Sequence, residues 1–188
     1  MPRLLQSRLS YGTLVSSFKN EKARKGLVVM TDGRDTPMYE AVMRLGRIPD
    51  IDQDGAFRKV VQSVRKGGVP IYFIALNTDR NPTRDDRSIE TRAIASSLGK
   101  GAAESYLLGV RQRMERLAEV TGGLVLYPKS LNEVAPLYET IGRELGAAYS
   151  LGYTPGIGAE DGTARAIEVR VRRDNVKVIQ SRNSYVPR

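Results

Sequence analysis

The sequence predicts an α/β fold in which a partial, doubly wound parallel sheet is followed by an antiparallel β-hairpin. Two runs, Leu27 to Met30 and Val69 to Leu76, are apolar without alternation, so both faces of each strand must be covered. Stretches with helical spacing separate these runs, which is typical of parallel strands joined by crossover helices. We expect a partial α/β domain in residues 1–150 and a β-hairpin extension in residues 151–188.

Three helices are predicted before the second strand begins. Apolar residues recur at helical intervals from Leu4 to Asn20, although Gly12 weakens that helix. A short helix is expected from Pro37 to Leu45. A third is expected after Asp54, and Gly67-Gly68 is a good C-terminal cap for it. Its apolar positions are Phe57, Val60, Val61 and Val64.

A long connection follows the second strand. Residues 77–106 are predicted to form an insertion that contains a short helix from Ser88 to Leu98, and such an insertion is either a functional loop or a tolerated surface excursion. The elements predicted after it are a helix from Leu107 to Val120, a short strand from Leu124 to Tyr127, a helix through Leu131, Val134, Leu137, Ile141 and Leu145, and a candidate strand from Tyr149 to Thr154.

The last residues predict the hairpin. Ala166 to Arg172 alternates apolar and polar side chains, as does the first half of Val176 to Gln180, and Asp174-Asn175 between them is a turn signal. The exposed arginines of this segment either face a partner or prevent aggregation at a sheet edge. They are Arg170, Arg172 and Arg173.

Polar side chains follow the first two strands directly. Asp32 ends the Leu27 strand, Asp35 and Thr36 lie just beyond it, and Asn77 follows the second strand. Because the carboxyl ends of parallel strands meet at one edge, where α/β sheets bind ligands, these oxygens could hold a hard cation or a hydrogen-bonding partner. The alternative for Asp35 and Thr36 is that they order the loop or cap the following segment.

A second acidic stretch matches the first half of a calcium-binding loop. Asp50, Asp52 and Asp54 have the required spacing and Gly55 follows, but the twelfth position, where a bidentate glutamate belongs, is Val61. The alternative is that Asp54 caps the next helix and the other two acids are solvated near its positive end.

Five segments together resemble the von Willebrand factor type A (VWA) domain, in particular a bacterial VWFA-related subgroup. They occur in the order of that family, and they cover most of the chain from about Arg24 onward. The resemblance implies a Rossmann-like sheet. The segments are Gly26 to Thr36, Val69 to Leu76, Met114 to Gly123, Tyr149 to Pro155 and Arg182 to Tyr185.

The metal site that the resemblance implies is incomplete in this sequence. Family members hold a divalent metal through an Asp-x-Ser-x-Ser loop, a threonine and an aspartate, and this sequence matches only the aspartate, at Asp32. Asp35, Thr36 and Asn77 are weaker candidate ligands. We therefore expect Mg²⁺ or another divalent cation to bind this chain alone only weakly, with millimolar affinity at best.

The family's strand order also implies that three strands beyond Leu27 are missing. The chain would then be truncated at its N-terminus, by a start codon placed too late or as a genomic remnant. The Leu27-Met30 strand would be an open edge, which favours association with a partner. Candidates to cover it are the Leu4 to Asn20 helix, a second copy of the chain, or a separate polypeptide.

Composition excludes several classes of function. The chain has 188 residues, a net charge of +9, and neither histidine nor cysteine, which removes Ser-His and Cys-His nucleophiles and the usual zinc ligands. Nucleic acid is not the expected partner, because lysines and arginines are scattered and no aromatic residues are interleaved with them. Met1 to Arg8 is too polar for a signal peptide, so we expect a cytoplasmic chain, or an exported or periplasmic one if translation starts upstream.

The leading interpretation is a non-enzymatic, adhesion-type module that binds an unidentified protein and spans no membrane. One alternative is a Mg²⁺-dependent hydrolase that uses Asp32, Asp35 and Asp79 as an acidic cluster at the strand ends. Another is a basic module that binds polyanions through Arg170 and Arg172.

Overall fold

A three-stranded parallel sheet forms the centre of the protein. The structure is a computed structural model, and it describes residues 25–76, 88–147, 149, 151–152, 163–174, 178, 180 and 184–186. The strands are β1 (Leu27–Thr31), β2 (Ile71–Ala75) and β3 (Val125–Leu126), in the order β1-β2-β3. The three predicted strands are confirmed, although β2 and β3 are shorter than expected. The predicted helix from Leu4 to Asn20 lies outside the described residues.

Five α-helices are described, and they connect or follow these strands. Their bounds are Thr36–Leu45 (α1), Gly55–Gly67 (α2), Ile89–Leu98 (α3), Lys100–Thr121 (α4) and Val134–Ala147 (α5), with a 3₁₀ turn at Leu131–Glu133. The predicted start of α4 was wrong. The helix begins at Lys100 rather than at Leu107, because Ala103 and Tyr106 continue its buried face towards the N-terminus.

The two faces of the sheet bury separate apolar clusters. Val29, Ile71 and Phe73 belong to a large cluster with residues of α1, α2, α3 and α4. Tyr72 and Ile74 belong to a smaller cluster on the other face, where they pack with residues of α5 that include Ile141. Every residue of β2 is buried, which confirms the prediction that this strand is covered on both faces.

The end of α4 is fixed against the start of β2. Thr121 Oγ1 accepts a hydrogen bond from the Ile71 amide at 3.0 Å and donates to the Leu117 carbonyl at 2.8 Å. A Cβ atom at Gly123 would lie 1.9 Å from the Ile71 carbonyl oxygen, so only glycine permits this approach. Close packing of the end of α4 against the start of β2 therefore explains the Thr-Gly-Gly sequence at residues 121–123.

Strand β1 is paired along one side only within the described residues. The Leu27 amide donates to the Pro70 carbonyl and the Thr31 carbonyl accepts from the Leu76 amide, both at 2.8 Å. Backbone N–H and C=O groups alternate in direction along a strand. The N–H and C=O groups of Val28 and Met30 therefore point away from β2. No other described strand pairs with that side. The expectation that both faces of this strand are covered was wrong, because Val29 is its only buried residue and Met30 is 43% exposed.

A separate antiparallel pair lies near the C-terminus. Strand β4 (Arg165–Ala166) pairs with β5 (Ser184–Tyr185), in a register symmetric about residue 175. This direction and register fit the predicted hairpin with its turn at Asp174-Asn175. The regular pairing is shorter than expected, because the described residues from 167 to 174 are not in a strand.

A side chain makes the contacts that backbone pairing was expected to make in this hairpin. The side-chain amide of Gln180 accepts a hydrogen bond from the Val169 N–H at 3.0 Å through its oxygen and donates one to the Ile167 carbonyl at 2.9 Å through its nitrogen.

The candidate strand from Tyr149 to Thr154 is not found in its described residues. Its described residues Tyr149, Leu151 and Gly152 are not in a strand, and the others lie outside the described residues.

Candidate functional site

Asp32 lies at the carboxyl end of β1, where its side chain is 46% exposed and held by two hydrogen bonds. One carboxylate oxygen accepts from the Arg34 amide and the other from the Arg34 guanidinium, both at 3.2 Å. The Gly33 amide donates to Thr31 Oγ1 at 2.9 Å. The loop is therefore a compact turn in which both oxygens of Asp32 already have a protein donor.

Gly33 brings this loop against helix α4. Its φ of +68° lies in the left-handed region, which side chains other than glycine rarely adopt. A Cβ atom there would lie 2.7 Å from Met114 Sδ and 2.8 Å from Val110 Cγ1. Glycine at position 33 thus allows a turn where a side chain would be obstructed.

The Arg34 side chain is held between the loop and the start of α3. It is only 5% exposed, and its Nε donates to Thr91 Oγ1 at 3.4 Å. Thr91 Oγ1 also accepts from Ser88 Oγ at 2.8 Å, and Ser88 in turn caps α3 by accepting from the Thr91 amide at 3.1 Å. The α3 N-terminus thus positions the cation beside Asp32.

Asp35 stands at the N-cap position of α1, and Thr36 is the first residue of that helix. The Asp35 carboxylate makes no capping hydrogen bond, while its backbone carbonyl accepts from the Tyr39 amide at 3.0 Å. Burial raises the pKa of Asp35, and this effect outweighs the lowering by the Met38 amide and the Arg113 guanidinium. Partial burial therefore disfavours the charged form of Asp35, the form that would bind a metal.

Tyr106 is a member of this region that the sequence did not reveal. It lies on α4, is fully buried, and its hydroxyl has no hydrogen-bond partner among the described residues. Burial raises the pKa of Tyr106, and the charges of Glu90 and Asp35 act in the same direction. The Arg34 charge and the nearby Asp35 amide oppose this effect, although the amide does not reach hydrogen-bond geometry. The only local signal was its helical spacing to Ala103 and Val110, which indicates burial and gives no information about the hydroxyl.

A second polar group lies at the carboxyl end of β3. The Tyr127 hydroxyl donates to a Glu115 carboxylate oxygen at 2.8 Å, and the Arg111 guanidinium lies 4.2 Å from the centre of the Tyr127 ring. Burial and the bond to Glu115 together raise the pKa of Tyr127 to about 12. The raised pKa keeps the Tyr127 hydroxyl protonated at neutral pH, so it is not a base there.

Asp54 of the calcium-loop candidate caps a helix, as the alternative interpretation expected. One of its oxygens accepts from the Ala56 amide at 3.1 Å and from the Phe57 amide at 3.0 Å. Its other oxygen pairs with Arg113 at 3.0 Å. Asp50 and Asp52 are exposed, and Asp50 accepts a hydrogen bond from the Asp52 amide at 2.8 Å. Protein groups thus use both oxygens of Asp54.

A divalent metal does not fit the residues described around Asp32. No group of three or more His, Cys, Asp or Glu side chains that could hold a metal ion occurs in the described part of the chain. Asp32 also has a guanidinium as its neighbour, and a second cation there would be repelled. The remaining candidates, Asn77 and Asp79, lie outside the described residues.

Comparison with known proteins gives no match, whether the chain is compared with protein-family models, with curated proteins or with solved structures. In the described residues, no helix has the length and apolar character needed to cross a membrane.

Proposed function

We propose that this chain is a VWA-like, non-enzymatic module that binds another protein at the outer edge of β1 and the adjoining Asp32 loop. In this proposal the sheet is part of a doubly wound, Rossmann-like arrangement. The partner is a second copy of the chain or a separate polypeptide, and any divalent cation binds only weakly.

The outer edge of β1 is the observation that carries the proposal. Strand β2 is buried throughout, whereas β1 has a second side that no described strand pairs with. The sequence from Leu27 to Thr31 contains no charge and no proline, the two devices that commonly protect edges from pairing. An unprotected edge can accept an additional strand, which is a common mode of protein recognition.

The Asp32 loop supports a binding role better than a catalytic one. A general base needs a carboxylate that can take up a proton from a substrate, and hydrogen bonds from Arg34 occupy both oxygens of Asp32. The carboxylate remains half exposed, so it can still accept a hydrogen bond from a partner docked on β1.

Site-specific photo-crosslinking tests the proposal. A photoreactive phenylalanine analogue replaces Met30 on β1 or, as a control, Tyr138 on α5, which is similarly exposed at 47%. After irradiation of cells that produce the protein, the Met30 position should give a discrete adduct that the Tyr138 position does not. An adduct of twice the chain's mass identifies self-association. Identical adducts from both positions, or none from Met30, would contradict the proposal.

A further inference from the structure

We infer that Arg34 is a built-in counter-ion that occupies the cation position beside Asp32, so that this loop works without a divalent metal. The inference deepens the proposed function and relies on it only for the role of the loop in binding. It predicts that the loop keeps its shape and its charge balance in the presence of a chelator.

The first step is the geometry of the pair. Arg34 donates from its amide to one oxygen of Asp32 and from Nη1 to the other, both at 3.2 Å. A metal ion on either oxygen would therefore lie close to a permanent positive charge. Because like charges repel at such distances, the ion pair opposes binding of a metal ion at Asp32, although the half-exposed carboxylate is partly screened by water.

The second step is that Arg34 cannot turn away from Asp32 without loss of other contacts. Its side chain is 5% exposed, so rotation into solvent would leave a space in the protein interior. Its Nε contact with Thr91 Oγ1 would be broken as well. The backbone of the loop is equally constrained, because Gly33 packs closely against Val110 and Met114.

The third step is the set of available oxygens. Magnesium requires nearly octahedral oxygen ligation at short distances, usually with one or two carboxylates and several further donors. In the described part of the chain, no three acidic side chains converge at Asp32. A single carboxylate needs only one positive charge for neutrality, and the guanidinium supplies it.

A manganese titration followed by electron paramagnetic resonance tests the inference, because free and bound Mn²⁺ give different signal amplitudes. The wild-type chain should show no saturable binding below millimolar Mn²⁺. Arg34→Gln removes the cation and should raise the Mn²⁺ association constant at least about tenfold. The double variant Asp32→Asn/Arg34→Gln should lose this gain. Arg116→Gln, which removes an exposed arginine of another ion pair, is the control for the change in net charge.

A second variant keeps the test decisive if Arg34→Gln does not fold. Thr91→Val removes the hydroxyl that anchors Arg34 and keeps the side-chain shape, so it should raise Mn²⁺ association by a smaller factor. Micromolar binding to the wild type that disappears in Asp32→Asn would overturn the inference. So would Arg34→Gln and Thr91→Val titrations that match Arg116→Gln. Either result would leave the crosslinking test at Met30 unaffected, so the two proposals fail separately.

Discussion

The guanidinium of Arg113 lies 3.0 Å from the carboxylate of Asp54, which joins the middle of α4 to the N-terminus of α2. The Arg113 side chain is 6% exposed, and it also donates to the Pro49 carbonyl at 3.2 Å. The same carboxylate caps α2. One acidic residue therefore stabilises a helix and neutralises a buried cation.

Replacement of Asp54 separates these two roles. Asp54→Asn keeps a capping oxygen but loses the ion pair, and should lower the free energy of unfolding by about 1–2 kcal/mol. Asp54→Ala loses both the capping oxygen and the ion pair, and it leaves the Arg113 guanidinium without its carboxylate partner. It should lower the free energy of unfolding by about 2–4 kcal/mol. Urea denaturation at pH 7 measures both values. The exposed residue Asp52 provides the control, because Asp52→Asn should change stability by less than about 0.5 kcal/mol.

The loss of unfolding free energy caused by Asp54→Asn should depend on pH. Burial of Asp54 opposes ionisation, but hydrogen bonds from the Phe57 amide and from Arg113 outweigh burial and lower the pKa of Asp54. A lowered pKa in the folded state means that the carboxylate stabilises the protein above the unfolded-state pKa of about 3.9 and loses this effect as the pH falls through the folded-state pKa. The difference between wild type and Asp54→Asn should therefore shrink in acid. A constant difference from pH 7 to pH 3 would contradict the assignment.

Gly33→Ala tests whether the Asp32 loop is packed as described. The substitution combines the cost of a left-handed conformation, about 1–2 kcal/mol, with a clash against Met114 and Val110 that adds about 1–3 kcal/mol. Gly46→Ala is the matched control, since Gly46 has φ of +67° and no atom within 4 Å of an added Cβ. The two variants share the cost of the left-handed conformation. The difference between their free energies of unfolding, from thermal or urea denaturation, therefore measures the clash with Met114 and Val110. Equal losses would show that the loop does not contact α4.

Tyr106→Phe tests the buried hydroxyl near Arg34. Because this hydroxyl has no hydrogen-bond partner among the described residues, its removal should be neutral or should stabilise the protein by up to about 1–2 kcal/mol. Tyr127→Phe is the control, since the Tyr127 hydroxyl donates to Glu115 and its loss should be mildly destabilising. A clear loss of stability in Tyr106→Phe would show that the hydroxyl has a partner, for which the Asp35 amide is the nearest candidate.

The elements that the sequence predicts well are those with a strong local pattern. Val69 to Leu76 reads as a buried strand because its apolar run is unbroken, and β2 is buried throughout. The run from Leu27 to Met30 also predicted a strand, but its expected burial on both faces was wrong, because Val29 is the only buried residue of β1. Asp54 could be assigned as a helix cap because helical spacing begins directly after it. The start of α4 at Lys100 was missed, because Gly99 and Gly101 weaken the helical signal just where the helix begins.

In the candidate site, the position of Asp32 could be predicted from the sequence but its contacts could not. The position of Asp32 follows from the end of an apolar run, which is local information. Its partner network is not local, because Arg34 contacts Thr91, which is 57 residues away in the sequence. Nothing in the periodicity around Arg34 indicates that its side chain turns inward, since an arginine after a strand is usually solvated.

Met30→Lys tests whether the β1 edge mediates self-association. A lysine on an open edge discourages pairing with another strand, so a wild-type chain that associates through this edge should become more monomeric. Sedimentation velocity over a range of concentrations measures the change, and the expected result is at least about a tenfold higher dissociation constant. Tyr138→Lys on α5 is the control of similar exposure. An equal effect of both substitutions would point to nonspecific association.

Hydrogen exchange of individual β1 amides tests the central claim most directly, because the strand contains its own control. The amides of Val29 and Thr31 point towards β2, whereas those of Val28 and Met30 point towards the outer edge. In the dilute, monomeric chain, nuclear magnetic resonance should find Val28 and Met30 exchanging much faster than Val29 and Thr31. The two outer amides should become protected when the partner binds. Equal protection of all four amides in the monomer would show that the edge is already covered, and would contradict the proposed binding site.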